Sequence, residues 1–236
     1  MTIDYAVVSA DNSDYLDYWP AVSKAWRKIG IEPILVYVGP FNAHVWALGR
    51  SEVYRLPAID NVKSSLQAQI ARIWAFNLLE GNCILSDIDM MPLSGSYFRD
   101  TAAPYDDGQI VSYCADAIPI FKAYHPICYV LASSAVMRPL IVQPTWEAFV
   151  QVLARYGGQG WFTDQWWLTK LLEKHGDVVS LPRGWGLNGV ADNRLDRRAW
   201  GYTDKDVREG KYFDAHLPRP FHRFRGEIER LLSVMP

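Results

Sequence analysis

Cys83-Ile84-Leu85-Ser86-Asp87-Ile88-Asp89-Met90-Met91-Pro92 is the stretch on which the reading of this chain turns. Its first three residues are apolar and uncharged, as a strand covered on both faces requires. The run stops at Ser86, and two carboxylates one residue apart follow. In open α/β sheets ligands gather outside the carboxyl ends of the strands, so a strand that empties into Asp87 and Asp89 delivers two anions to that place. Two ionised carboxylates about 4 Å apart repel by about 4 kcal/mol at an effective dielectric of 20, and a cation between them relieves it. Hard oxygen donors favour Mg²⁺ or Mn²⁺ over zinc. A solvated turn carries the same tripeptide without a metal, so the spacing alone leaves both readings open.

Upstream, residues 65–80 place apolar side chains at Leu66, Ile70, Ile73, Trp74 and Leu78, a helical stripe with Gly81 as its terminator and Arg72 off the stripe. Nearer the N-terminus, residues 5–8 read as a short buried strand closing in Ser9-Ala10-Asp11-Asn12. Asp14 is placed to cap a helix running to about Lys28, Gly30 stops it, and residues 33–38 supply a second apolar strand. Strand, helix, strand predicts parallel pairing. Downstream, 109–113 and 127–132 read as strands, 145–155 and 164–174 as helices, with a flexible break at Gly157-Gly158-Gln159-Gly160. From Asp192 onward the chain reads as a polar, Arg-rich tail. There is no internal repeat, low-complexity tract or interdomain linker.

A chain of 236 residues that is 50% apolar is long enough for the core of one α/β domain. Its 24 Lys and Arg against 26 Asp and Glu are scattered, which leaves no broad basic surface for nucleic acid. Cys83, Cys114 and Cys128 form an odd set in apolar stretches and read as buried thiols, not a disulfide framework. No basic leader precedes a long apolar run and no transmembrane segment is found, so a cytoplasmic protein is expected. The ten tryptophans and thirteen tyrosines chiefly serve packing, although those near turns also offer flat faces to sugars.

Ile84-Leu85-Ser86-Asp87-Ile88-Asp89-Met90-Met91-Pro92-Leu93 resembles the DXD segment of GT-A glycosyltransferases, including the strand before it, the hydrophobic-Pro element after it and the arginine-bearing helix upstream. The resemblance implies one GT-A (Rossmann-like) α/β domain over residues 1–236, with a mostly parallel central sheet flanked by helices. Its nucleotide-binding half spans about 1–92 and its acceptor-side half about 93–236. It implies transfer of a hexosyl or deoxyhexosyl group from a nucleotide-diphosphate sugar, UDP favoured, to a glycan or small hydroxyl acceptor. Mn²⁺ or Mg²⁺ would be held by Asp87, Asp89 and a C-terminal histidine, His216, which residues 213–217 deliver on a short strand or turn, with His222 as its substitute.

In the same resemblance Ser9, Asp11 and Tyr15 receive the nucleotide, and Arg72 and Asp87 meet the donor. Tyr15 as a packed helix face and Arg72 as a solvated arginine are the alternatives. Trp161-Phe162-Thr163-Asp164-Gln165-Trp166-Trp167 is similar to the acidic element that opens a late helix in these families. Asp164 is then the catalytic base of an inverting reaction or a donor-orienting group in a retaining one. Trp161, Gln165 and Trp166 would bind the acceptor, whereas Thr163 or Asp164 as a helix cap is the structural alternative. Two other classes compete: a Mg²⁺-dependent phosphohydrolase of haloacid-dehalogenase type, and a non-catalytic nucleotide-sugar or glycan-binding module.

Overall fold

The computed structural model describes residues 1–40, 52–117, 124–157, 160–184, 191 and 193–236. The strands among them are β1 (Tyr5–Ala10), β2 (Glu32–Val38), β3 (Val53–Leu56), β4 (Asn82–Leu85), β5 (Met90–Pro92), β6 (Ile110–Ser112), β7 (Val130–Ser133), β8 (Val178–Ser180), β9 (Arg194–Asp196) and β10 (Asp214–His216). Seven of them form the central sheet in the order β3-β2-β1-β4-β7-β6-β8, and β5-β10-β9 form a small second sheet. In the central sheet only β7 runs antiparallel to its neighbours. The helices are α1 (Ser13–Leu16), α2 (Trp19–Lys28), α3 (Ser64–Trp74), α4 (Gly95–Ala102), α5 (Ser134–Met137), α6 (Trp146–Gly157), α7 (Thr163–His175), α8 (Asp204–Arg208) and α9 (Phe221–Val234). The protein is thus mixed α/β, with a mostly parallel sheet flanked by helices, as the patterning predicts.

Side chains alternate between two faces along each strand, so a buried sheet needs apolar residues at every position. Val7, Ile34, Val36, Cys83 and Leu85 enter the core beneath α3, α6 and α7. Ala6, Val8, Leu35, Ile84 and Leu131 enter the opposite core, against α2 and α9. The turn into β4 depends on Gly81, whose φ is 110° and where a Cβ would lie 2.5 Å from Asp4 Oδ2. That carboxylate accepts the Asn82 N–H at 2.8 Å, which secures the strand leading to Asp87.

Three expectations need correction. The expected helix from Asp14 to Lys28 is two helices, and its cap is Asn12, whose Oδ1 accepts the Tyr15 N–H at 3.1 Å. Pro20 has no N–H and is accommodated only in the first turn of a helix, so α2 restarts at Trp19. The helix expected to reach residue 80 ends at Trp74 and tightens into a 3₁₀ turn, Ala75–Asn77. Arg138 donates to the carbonyls of Phe76 and Leu79 at this end, satisfying groups that a longer helix would have paired internally. The polar tail holds, besides the short strand expected at 213–217, which is β10, the strand β9 and the helix α9, and between them they bury Leu195, Ala215, Phe221, Ile228 and Leu231. Gly158, Gln159 and Asp192, placed in the break and at the start of that tail, lie outside the described residues. Among the described residues, no helix is long and apolar enough to cross a membrane.

Candidate active site

β1 lies between β2 and β4, so the chain leaves it toward one side of the sheet and later returns on the other. Such a switch point opens a crevice at the carboxyl ends of the strands. Ser9 and Asp11 at the end of β1 and Asp87 and Asp89 after β4 line one cleft of about 250 Å³ there. The Ser86 N–H extends the ladder by one bond to the Val7 carbonyl at 2.9 Å. The Met90 N–H then closes a turn on the Asp87 carbonyl at 3.0 Å, and the chain enters β5. β5 pairs antiparallel with β10, Met90 opposite His216, and the Leu217 N–H donates to the Asp89 carbonyl at 2.9 Å. The hydrophobic-Pro segment is therefore the strand that docks the C-terminal histidine beside the acidic pair.

The repulsion expected between the two carboxylates is met by arginines. Arg72 Nη1 pairs with Asp87 Oδ1, and its Nη2 donates to Asp164 Oδ2 at 3.1 Å. Arg72 is buried: burial disfavours its charge, but Asp87 and then Asp164 outweigh that and raise its pKa. It is neither on the apolar stripe of α3 nor in solvent, because the polar side of α3 floors the cleft. Asp89 is 4% exposed, and its Oδ2 accepts from Arg219 Nη2 at 2.5 Å and Nε at 3.0 Å and from Arg197 Nη1 at 3.0 Å. His216 Nε2 stands 3.6 Å from the same oxygen, and its Nδ1 is 3.4 Å from Asp196 Oδ2. Burial opposes charge on Asp89, yet His216 and Arg219 hold its carboxyl well below the usual range. Burial likewise opposes protonation of His216, but Asp196 and Asp89 raise its pKa above the ordinary value.

Asp164 opens α7 almost fully buried, and burial pushes its carboxyl up while Arg72 pulls it down. Its Oδ1 accepts the Gln165 N–H at 2.8 Å, so it ties down the helix start as well as Arg72. Ser9, Asp11, Tyr15, Trp161 and Gln165 also line the cleft. The Tyr15 ring carries the Arg219 guanidinium at 4.9 Å, and Trp161 stands 64% exposed. Trp166 does not line the cleft and packs on Tyr124 at 5.6 Å. His222 is exposed on α9, away from the lining residues, so His216 is the histidine brought to the acidic pair. Arg197, Arg219 and Asp196 have no place in the sequence reading, since they fall in the stretch read as a tail. The signal for one was the pair of prolines, Pro218 and Pro220, that brackets Arg219 directly after His216.

Among the described residues, no three His, Cys, Asp or Glu side chains form a ready-made metal cage. Asp87, Asp89 and His216 nevertheless line one cleft, and 3.6 Å between Asp89 Oδ2 and His216 Nε2 is near the separation of two donors sharing one small cation. Carboxylate donors suit Mn²⁺ or Mg²⁺, whereas an imidazole is a softer donor that Mg²⁺ does not favour. The carboxylates fit such an ion in chemistry, with Arg72 on Asp87 and Arg197 and Arg219 on Asp89 as the groups it would have to displace.

No protein-family model matches the chain, and no curated protein matches it. Among solved structures it is similar to the apo form of the glycosyltransferase GlyE from Streptococcus pneumoniae TIGR4, with a TM-score of 0.52 and 11% identity over 99% of this chain and 63% of that one. Against another crystal structure of GlyE the identity is 14%, the coverage 77% of this chain and 45% of that one, and the TM-score 0.47. The chain spans less than two thirds of the length of GlyE. What the two proteins share is a fold.

Proposed function

We propose that this protein is a metal-dependent glycosyltransferase of the GT-A type, which moves a hexosyl or deoxyhexosyl group from a nucleotide-diphosphate sugar, UDP favoured, to a hydroxyl of a glycan or small acceptor. The observation that carries this reading is the convergence, at the switch point of the sheet, of Asp87, Asp89, His216 and three arginines from segments far apart in the chain. The DXD-like segment and the fold shared with GlyE support it. Asp87, Asp89 and His216 would hold Mn²⁺ or Mg²⁺, which when bound offsets the negative charge on the departing diphosphate. Arg72, held between two carboxylates, presents a guanidinium already fixed in place to phosphate or sugar oxygens. Ser9, Asp11 and Tyr15 face the nucleoside end.

Asp164 has one oxygen on Arg72 and the other on the Gln165 N–H. A carboxylate so engaged is fixed in place beside Arg72, and each oxygen keeps a second lone pair, so it serves as the acceptor's base in an inverting reaction or orients Arg72 and the donor in a retaining one. A phosphohydrolase of the haloacid-dehalogenase type would instead use the first Asp as a nucleophile and usually carries the pair after its first strand, whereas Asp87 and Asp89 follow β4 and lead into Met90-Met91-Pro92.

Thermal melting in the presence of UDP and Mn²⁺ tests the reading. Ligand at 100-fold its Kd adds about 2.7 kcal/mol, so Tm is expected to rise by roughly 5–10 °C, with a smaller rise when Mn²⁺ is omitted. No response to any nucleoside diphosphate, together with rapid hydrolysis of an aryl phosphate, would overturn it. Metal-dependent nucleotide binding without donor hydrolysis or transfer would instead indicate a binding module. Trp161→Ala is expected to leave Tm unchanged, since the ring is exposed, and to raise the acceptor KM roughly five-fold through loss of about 1 kcal/mol of stacking. An unchanged KM would remove Trp161 from the acceptor platform.

A further inference from the structure

A second chamber of about 200 Å³ adjoins the cleft and shares Asp87, Ile127 and Gln165 with it. Its remaining described walls are Cys114, Ala117, Pro126, Cys128 and Arg194. Most of that surface is thiol, methyl or ring carbon. Among the described side chains the polar ones are Asp87, Gln165 and Arg194, whose Nε and Nη2 are turned to Asp214 at 3.1 and 2.7 Å. Gln165 Oε1 is buried and has no hydrogen-bond partner among the described residues. A hydroxyl or N–H brought by a ligand would give this acceptor a partner.

The thiols sit together because the β6–β7 ladder brings them there. Val111 lies opposite Leu131 and Ser112 opposite Val130, and the Tyr113 N–H donates to the Tyr129 carbonyl at 3.0 Å. Just past this ladder the two chain segments carry Cys114 and Cys128, which line the same chamber. Burial pushes both thiols above their ordinary pKa, so at neutral pH they present soft, uncharged surface. A sugar hydroxyl lodged against that wall would lose its water and gain no strong partner, whereas a methyl group there would leave water at no such loss.

We propose that this chamber receives the donor sugar and selects one with a methyl-bearing edge, a 6-deoxyhexose or an N-acetylhexosamine, over a plain hexose. The assignment rests on the glycosyltransferase reading above. In it Gln165 Oε1 accepts from a ring hydroxyl, serving the donor and not the acceptor to which the sequence assigned it, while the methyl faces Cys114, Cys128 and Ala117. One methyl in a fitted apolar pocket is worth about ten-fold or more in discrimination.

The test is calorimetric titration of the whole chain, in Mn²⁺, with UDP, UDP-glucose, UDP-N-acetylglucosamine and UDP-6-deoxyglucose. One of the two methyl-bearing donors is expected to bind about ten-fold tighter than UDP-glucose, and which one does so separates the two sources of the methyl. Cys128→Ser, which turns a soft wall polar, should narrow that gap. Gln165→Ala should bring the preferred donor to the affinity of UDP itself and leave UDP unaffected. Equal affinities, or tighter binding of UDP-glucose, while UDP still binds, overturn the sugar assignment alone. If no uridine nucleotide binds, the assignment falls together with the reading on which it rests.

Discussion

Asp214→Asn is expected to destabilise the fold by about 3–5 kcal/mol, because it breaks a buried ion pair on one side only. For a chain of this size that is a fall of roughly 6–20 °C in Tm. Asp214 is fully buried on β10 and accepts from Arg183 Nη2 at 2.6 Å and from Arg194 Nε at 3.1 Å and Nη2 at 2.7 Å. The two arginine side chains are 1% and 7% exposed, so without the carboxylate neither can recover its hydration. Arg183 is further confined over the rings of Tyr97 and Phe213, at 5.3 and 5.6 Å. Burial disfavours the charged form of Asp214, but Arg183 and Arg194 outweigh it and depress its pKa. A depressed folded pKa means that the stabilisation is fully present above the unfolded carboxylate's value, near 4, and is lost as pH falls below it. The variant should therefore lose part of the acid-induced slope as well as stability at neutral pH. Urea melts at pH 7 and pH 3 measure both, with Glu229→Gln, half of an exposed pair with Arg225, as a control expected to change stability by less than about 0.5 kcal/mol. A variant as stable as the parent at pH 7 would refute the account.

The Asp214 cluster also marks where sequence reading runs out. The strands β1, β2 and β4 are recognisable because a covered parallel strand needs several apolar residues in a row, and the DXD-like segment because it directly follows such a strand. Residues 213–217 read as a short strand or turn delivering His216, and β10 is that strand, whereas Arg194 and Asp196 of β9 fall in what reads as a polar, Arg-rich tail. Both strands are buried only because each charge finds its partner on another segment, Arg183 and Arg194 for Asp214, Arg219 for Asp89. Local pattern carries no record of such distant partners. The same limit explains Arg72, whose place off the apolar stripe is visible but whose burial depends on α7 delivering Asp164. Position along the chain identifies His216 as a candidate, but only the β5–β10 pairing singles it out from His222. In α9 the apolar residues Phe221, Ile228 and Leu231 are spaced seven and three apart among arginines and glutamates, a helical stripe that composition alone makes look like a polar tail.

Asp89→Asn is expected to do the reverse of Asp214→Asn: less to the fold and more to the chemistry. Its guanidinium partners, Arg197 and Arg219, are 29% and 42% exposed and can turn to water when the charge is gone, so the stability loss should be smaller than that of Asp214→Asn, although the depressed carboxyl pKa of buried Asp89 gives it some share in stability at neutral pH. The amide keeps the volume of the side chain, and the Leu217 N–H still has the Asp89 backbone carbonyl. What is lost is the one anion that His216, Arg197 and Arg219 all face, and with it the carboxylate donor nearest the imidazole. Removing a preorganised electrostatic contact of this kind lowers turnover by about 100- to 1,000-fold, and the rise in Tm that Mn²⁺ adds to UDP should disappear while the melting temperature without ligand falls less than that of Asp214→Asn. Asp87→Asn, whose carboxylate is partly exposed and paired with buried Arg72, should give the same loss of metal response. Should both variants transfer sugar at the parent rate and still respond to Mn²⁺, the acidic pair would be a structural counter-ion for the arginines, and the cation-binding role would have to be sought elsewhere in the cleft.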